Sequence, residues 1–257
     1  MTATAADLYG GRGSIKDDYV APPVQTNSCG AWYARVDSGN SSMDRPNITQ
    51  AGVDDLLRPN IKDSYTLGGG IGRYFTCNVR GDITYDHRFQ SGITGFNGNQ
   101  FSPAYGDQKF KMSNDVVLFN AYYDFDTRSR FTPYIGVGLG FTNNHIGRGS
   151  GTVGSLASTG GFGNALTSNG NDTFHAAAAV MAGMSVALRE RLSLDAGYRF
   201  LYLGTANTGN VYDTRLNAPA GRNSIEELHA HEFRVGLRYE LGGGSNCCAS
   251  PSYAPLK

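Results

Sequence analysis

In the segment EELHAHEFRVGLRYEL, His229 and His231 stand two positions apart. An extended chain turns residues i and i+2 to the same face, so these imidazoles would share one, and imidazole nitrogens are ligands for metal ions and haem. His145 and His175 are the further candidates for such a site, and His87 completes the histidines of the chain. All of them fall where an alternating segment gives way to a polar run. A polar rim also accepts histidines that bind nothing, and both readings stay open. Enzymatic chemistry has less to work with: no nucleophile, base and orienting acid stand at a recognisable spacing. The expected function is therefore non-enzymatic, with no resident cofactor. Lys+Arg 22 equals Asp+Glu 22, which leaves no basic field for nucleic acid.

The parity of the charges is more informative. Glu232, Arg234, Arg238 and Glu240 alternate with Phe233, Val235, Leu237, Tyr239 and Leu241. Leu192, Leu194, Ala196, Tyr198, Phe200 and Tyr202 oppose Ser193, Asp195, Gly197 and Arg199, and Val79, Ile83 and Tyr85 oppose Arg80, Asp82, Asp86 and Arg88. TPYIGVGLGF repeats the pattern without charge, setting Gly136, Gly138 and Gly140 against Ile135, Val137, Leu139 and Phe141. A period of two is the signature of a strand whose faces meet different surroundings. If the polar faces turn inward, Arg35, Asp37, Arg80, Asp82, Asp86, Arg88, Asp124, Asp195, Arg199, Glu232, Arg234, Arg238 and Glu240 are enclosed together. An unpaired buried charge costs several kcal/mol, so the enclosed set predicts a connected ion-pair network. The glycines opposite the oily face, which also include Gly68, Gly70 and Gly72, would make room for its arginines.

Eight segments carry the period: residues 31–39, 64–74, 78–88, 112–125, 130–143, 173–188, 191–204 and 226–241. Short turns (FTC, DTRS and RE) join the second to the third, the fourth to the fifth and the sixth to the seventh. The connections 40–63, 89–111, 144–172 and 205–225 are long and polar, and the third of these is glycine-rich, low in complexity and expected to be flexible. Charged residues at 17% are few for a soluble domain, while Gly 35, Tyr 15 and Phe 13 are many. No apolar run approaches the roughly 18 residues of a spanning helix. An even number of strands with short turns on one side and long loops on the other is the pattern of an outer-membrane barrel. The expected fold is all-β, an eight-stranded antiparallel up-and-down transmembrane barrel with a closed polar interior. A lipocalin-like barrel or a sandwich would show the same period with the faces exchanged. Strand length and the glycine face favour lipid. The small outward residues of FHAAAAVMAGMSVAL leave room for lateral packing of barrels or for lipid.

AWYARVDSG, TPYIGVGLGF, LSLDAGYRFLYLG and HEFRVGLRYEL resemble strand motifs of the small outer-membrane β-barrel family that includes opacity-type proteins and the small barrels of alphaproteobacteria. The resemblance covers residues 31–241 and implies an integral protein of the bacterial outer membrane, with both termini periplasmic and surface loops on the other side. Its partners would be outer-membrane lipid and lipopolysaccharide, with other envelope proteins as a further option. Arg234, Gly236, Tyr239 and Leu241 resemble the signal read by the barrel-assembly machinery, here followed by a tail, 242–257. Some relatives are described as haem binders, which bears on the histidines. In others a mature terminus beginning Ala-Asp is joined to peptidoglycan. Residues 1–5 end in an A-x-A shape, so cleavage there would leave Ala6 as the attachment point at the head of a flexible leader, 6–30. Cys29, Cys77, Cys247 and Cys248 all fall on the short-turn side of this topology. Closure of the eighth strand on the first makes a bond from Cys29 to Cys247 or Cys248 natural, with Cys77 able to take the other; unpaired thiols are the alternative.

Overall fold

The computed structural model describes residues 29–44, 47–50, 57–99, 102–127, 129–155, 163–189, 191–214 and 217–242. Eight long strands form the barrel: β1 Trp32–Met43, β2 Ser64–Tyr74, β3 Val79–Asn99, β4 Ser102–Asp124, β5 Phe131–Ile146, β6 Asn171–Arg189, β7 Leu192–Tyr202 and β8 His229–Gly242. Each pairs antiparallel with its chain neighbour. The wall closes where β8 pairs with β1, Val36 opposite Leu237 and Gly39 opposite Arg234. An up-and-down barrel is thus complete, and closure leaves its spanning wall without a free edge.

The faces follow the predicted parity. Val137, Leu139 and Val235 are 58%, 69% and 56% exposed on the outside, whereas Arg80, Asp86 and Arg88 are 0% exposed inside. Oily side chains ring the exterior while arginines fill the interior, the reverse of a soluble barrel. Trp32, Tyr123, Phe125, Tyr202 and Tyr239 are also outward and exposed, as interfacial aromatics are.

The glycines face inward as expected, but they do not make room for arginines directly. A Cβ on Gly136 would stand 2.5 Å from the Tyr122 ring, one on Gly72 would meet the Tyr33 ring, and one on Gly68 would meet the Asp86 carboxylate. At these three positions the missing side chains admit the rings and a carboxylate that surround the arginines.

Two expectations are corrected at the loop end. The 89–111 connection is not an irregular loop: β3 and β4 run on as one hairpin to Asn99 and Ser102. Much of the 144–172 connection is ordered too, with strands Gly149–Ser155 and Gly163–Ser168 extending the sheet from β4. Strands Asn47–Gln50, Asn223–Glu226 and Ala206–Asn207 form a separate small sheet. The second correction is that the interior is not polar throughout. Phe110, Met112, Ile146, Leu201, Leu203 and Ile225 are buried in one apolar core at this end, with Ile48 and Leu228. Beyond the bilayer the wall has water outside, so burial of apolar surface turns inward as in a soluble protein.

Candidate functional site

The lumen is built in layers. At the short-turn end Arg80 Nε hydrogen-bonds Asp124 (3.0 Å), and its guanidinium lies 4.0 Å from the Tyr122 ring centroid and 5.1 Å from that of Tyr134. Both Nη atoms of Arg80 lack an acceptor among the described residues, and the ring faces give them cation–π contacts instead. Arg238 Nη2 donates to Ser185 Oγ (3.0 Å), beside Asp195 at 3.3 Å. In the middle, Arg35 pairs with Asp37 (3.0 Å) and Asp82 (3.3 Å), and Tyr33 and Asn120 donate to the same Asp82 at 3.0 and 2.7 Å.

Nearest the apolar core, Glu232 accepts from Arg88 Nε (2.7 Å) and from Arg199 Nε (2.6 Å). Arg199 also reaches Asp86 at 2.7 Å, and Arg234 pairs with both Asp37 and Asp86. Eight of the predicted inward residues, Arg35, Asp37, Asp82, Asp86, Arg88, Arg199, Glu232 and Arg234, are therefore linked by ion pairs, while Arg80–Asp124 and Arg238–Asp195 stand as separate pairs among the described residues. Glu240 is half-exposed at the short-turn mouth and makes no ion pair among the described residues, because β8 has reached the end of the closed wall there. The tyrosines and amides that line the network, Tyr33, Tyr122, Tyr134 and Asn120, carry no charge and were not singled out by parity; their signal was a polar tip opposite a glycine.

The histidines do not converge. His87 Nδ1 meets Asp115 at 2.7 Å, with Tyr85 OH donating to the same carboxylate at 2.6 Å, and His145 pairs with Asp172. His231 joins Tyr198 OH (2.5 Å) to Asp44 (3.1 Å), and His229 stacks on Phe200 with ring centroids 5.4 Å apart. His229 and His231 share an outward face, as their spacing predicts. His175 instead lies on the other side of the wall, its Cβ against Gly204. Among the described residues no three His, Cys, Asp or Glu side chains are grouped to hold a metal. The result is a belt of separate His–Asp pairs just above the lipid-facing aromatics.

At the opposite end, Cys29 Sγ and Cys77 Sγ lie 3.6 Å apart. Cys247 and Cys248, like Ala6, lie outside the described residues. Of the assembly-signal residues, Tyr239 and Leu241 face outward and Gly236 packs against Asp37.

Comparison with known proteins agrees with this geometry. The chain is 26% identical to an uncharacterised protein of Brucella suis over 93% of both chains. It is 29% identical to the outer membrane protein PagN of Salmonella typhimurium, covering 83% of this chain and 87% of that protein. Among solved structures, the outer membrane protein OprG of Pseudomonas aeruginosa aligns with 84% of this chain and 99% of its own at a TM-score of 0.50 and 13% identity, a likeness of fold. The model of the Opacity family porin proteins matches residues 76–223, more than half of the chain. A closed antiparallel barrel with lipid-facing side chains outside and an ion-pair network within is thus an integral outer-membrane β-barrel, and the chain belongs to the Opacity family of porin proteins.

Proposed function

We propose that this barrel is a structural protein of the outer membrane that supports the envelope and presents an ordered strand platform outward, and that it does not conduct. The observation carrying this reading is the filled lumen. Arg80, Arg88 and Arg238 are fully buried in the ion-pair layers, and Met112, Ile146, Leu201 and Leu203 close the interior above them. A water-filled channel needs a wider barrel; eight strands leave an interior that side chains fill. In this reading the short turns and both termini are periplasmic and the extended hairpins lie outside, the arrangement of short turns and long loops in outer-membrane barrels. A periplasmic disulfide involving Cys29 or Cys77 is part of this reading, although the two sulfurs at 3.6 Å are neighbours and not bonded to each other, an S–S bond being about 2.05 Å, and attachment of Ala6 to peptidoglycan would add a mechanical link. The test is electrical. Purified full-length protein reconstituted in planar bilayers is expected to give no stable conductance steps. Steps of porin size from barrels shown to be folded by heat-modifiable gel migration would refute a sealed lumen.

A further inference from the structure

On the outward face of β3 and β4 the chemistry changes in order along the strands. Tyr85 stands opposite Val117, His87 opposite Asp115, Gly92 opposite Lys111 and Thr94 opposite Lys109. The wall's third member here is the chain just after strand Leu57–Ile61: Lys62 N donates to Gly92 O at 3.1 Å. Lys62 Cδ lies 3.8 Å from the position a Cβ on Gly92 would occupy, so Lys62 and Lys111 straddle Gly92 on one face. On its other side Lys111 adjoins Gly147, where a Cβ would meet only Lys111 itself. The floor between and beside the two ammonium groups is bare backbone.

Their charge is not consumed among the described residues. Lys109 is held by Asp107 at 2.8 Å; Lys62 and Lys111 are exposed and pair with no carboxylate among the described residues. Among the described residues Lys62, Lys109 and Lys111 are the lysines, all on this flank, while exposed arginines such as Arg73, Arg189 and Arg222 lie elsewhere. Depth narrows the ligand. Phe89 of β3, 49% exposed opposite Ser113, is the outermost exposed apolar residue beside the two lysines on this face; two residues at about 3.3 Å each, tilted about 40°, put Lys111 about 5 Å above it. That is within the depth of a lipid headgroup layer, about 5–7 Å, where headgroup phosphates lie.

We propose that Lys62 and Lys111, across the bare backbone of Gly92, bind a phosphate carried by the saccharide headgroup of an outer-leaflet glycolipid. The inference rests on the outward orientation of the loop end given above, and it makes His87 and Asp115 the polar step between the acyl boundary and the phosphate. The full-length protein is reconstituted with phosphorylated lipopolysaccharide or with the same lipopolysaccharide after enzymatic dephosphorylation, and lipid retained per barrel is measured through detergent washing. Lys62→Gln with Lys111→Gln is expected to lower retention of the phosphorylated form about tenfold or more and to leave the dephosphorylated form unchanged. Lys62→Arg with Lys111→Arg should retain the parent's behaviour, and the exposed Arg222→Gln serves as the control for loss of a distant charge. Folding of each variant is read by heat-modifiable migration, and conductance is read separately, so failure here is distinct from failure of the sealed-lumen reading. Undiminished retention by the folded glutamine pair overturns the proposal. So does complete displacement by inorganic phosphate at equal phosphate concentration, which would make the site one for a free anion.

Discussion

Replacing Glu232 with glutamine removes one charge from a lumen in balance. Arg35, Arg80, Arg88, Arg199, Arg234 and Arg238 face Asp37, Asp82, Asp86, Asp124, Asp195 and Glu232, six against six. The loss is not shared equally among the arginines that touch Glu232. Arg199 keeps Asp86, and Arg234 keeps Asp37 and Asp86, but Arg88 has Glu232 as its only acidic partner among the described residues. With Arg88 fully buried, the variant leaves one guanidinium enclosed and unmatched, at a cost of about 3 kcal/mol, the lower end for breaking a buried pair. With a urea dependence of about 2 kcal/mol/M, the midpoint falls by about 1.5 M. Arg88→Met added to Glu232→Gln restores neutrality with a side chain of similar length, so the double variant should be more stable than Glu232→Gln alone. The assay is urea titration of barrels folded in lipid vesicles, read by the fraction migrating as the compact form on unheated gels. A double variant whose midpoint falls below that of Glu232→Gln, as independent losses would require, refutes the assignment of Arg88 to Glu232.

The remaining predictions probe other parts of the molecule. Val235→Arg, at a lipid-facing position that is 56% exposed, should destabilise the folded barrel by about 2–4 kcal/mol if it sits near the bilayer midplane; an unchanged midpoint would count against that placement. Spin labels at Val137 and Val235 should report lipid while labels at Asp82 and Arg234 should not, and the opposite pattern would invert the faces. Gly136→Val should fold poorly, because its Cβ would stand 2.5 Å from the Tyr122 ring with the backbone oxygen of Ala121 at 3.1 Å; Gly92→Ala, whose Cβ has only the flexible Lys62 chain nearby, should fold like the parent. Alkylation of the unreduced protein should leave fewer than four cysteines modified, and full modification would exclude the periplasmic disulfide. Muramidase digestion of native cell walls followed by mass spectrometry should find Ala6 carrying a peptidoglycan fragment; a wholly unmodified terminus would rule the link out.

How far the sequence could be read depended on where water lies. Within the bilayer both sides of the wall are distinct, lipid outside and paired charge inside, so residues such as Phe233 and Arg234 declare their faces by type alone. The glycines Gly136, Gly138 and Gly140 were legible as an inward face, but not the rings and amide they accommodate, since Tyr122 and Asn120 come from another strand. Above the bilayer the rule inverts. On β4, Val117 and Phe119 face lipid, yet Phe110 and Met112 are buried inside while Lys109 and Lys111 face out. On β3 the inversion is hidden as well, because an irregularity between Arg88 and Ser91 sets Phe89 and Gln90 opposite Ser113 alone, which shifts the parity and lets Ile93 enter the core at what had been an outward position. A reader counting by twos sees an oily face continuing into a polar loop. The histidine spacing carried a similar ambiguity: it placed His229 and His231 on one face, but only the register shows Tyr198 and Asp44 beside them instead of a shared ligand. The same inversion supplies a depth scale that composition lacks. Apolar side chains leave the outside of β4 after Val117 and gather on the inside by Met112, so the acyl boundary falls within that stretch. Lys111 lies just beyond that stretch, at the level where the proposed headgroup phosphate would meet it.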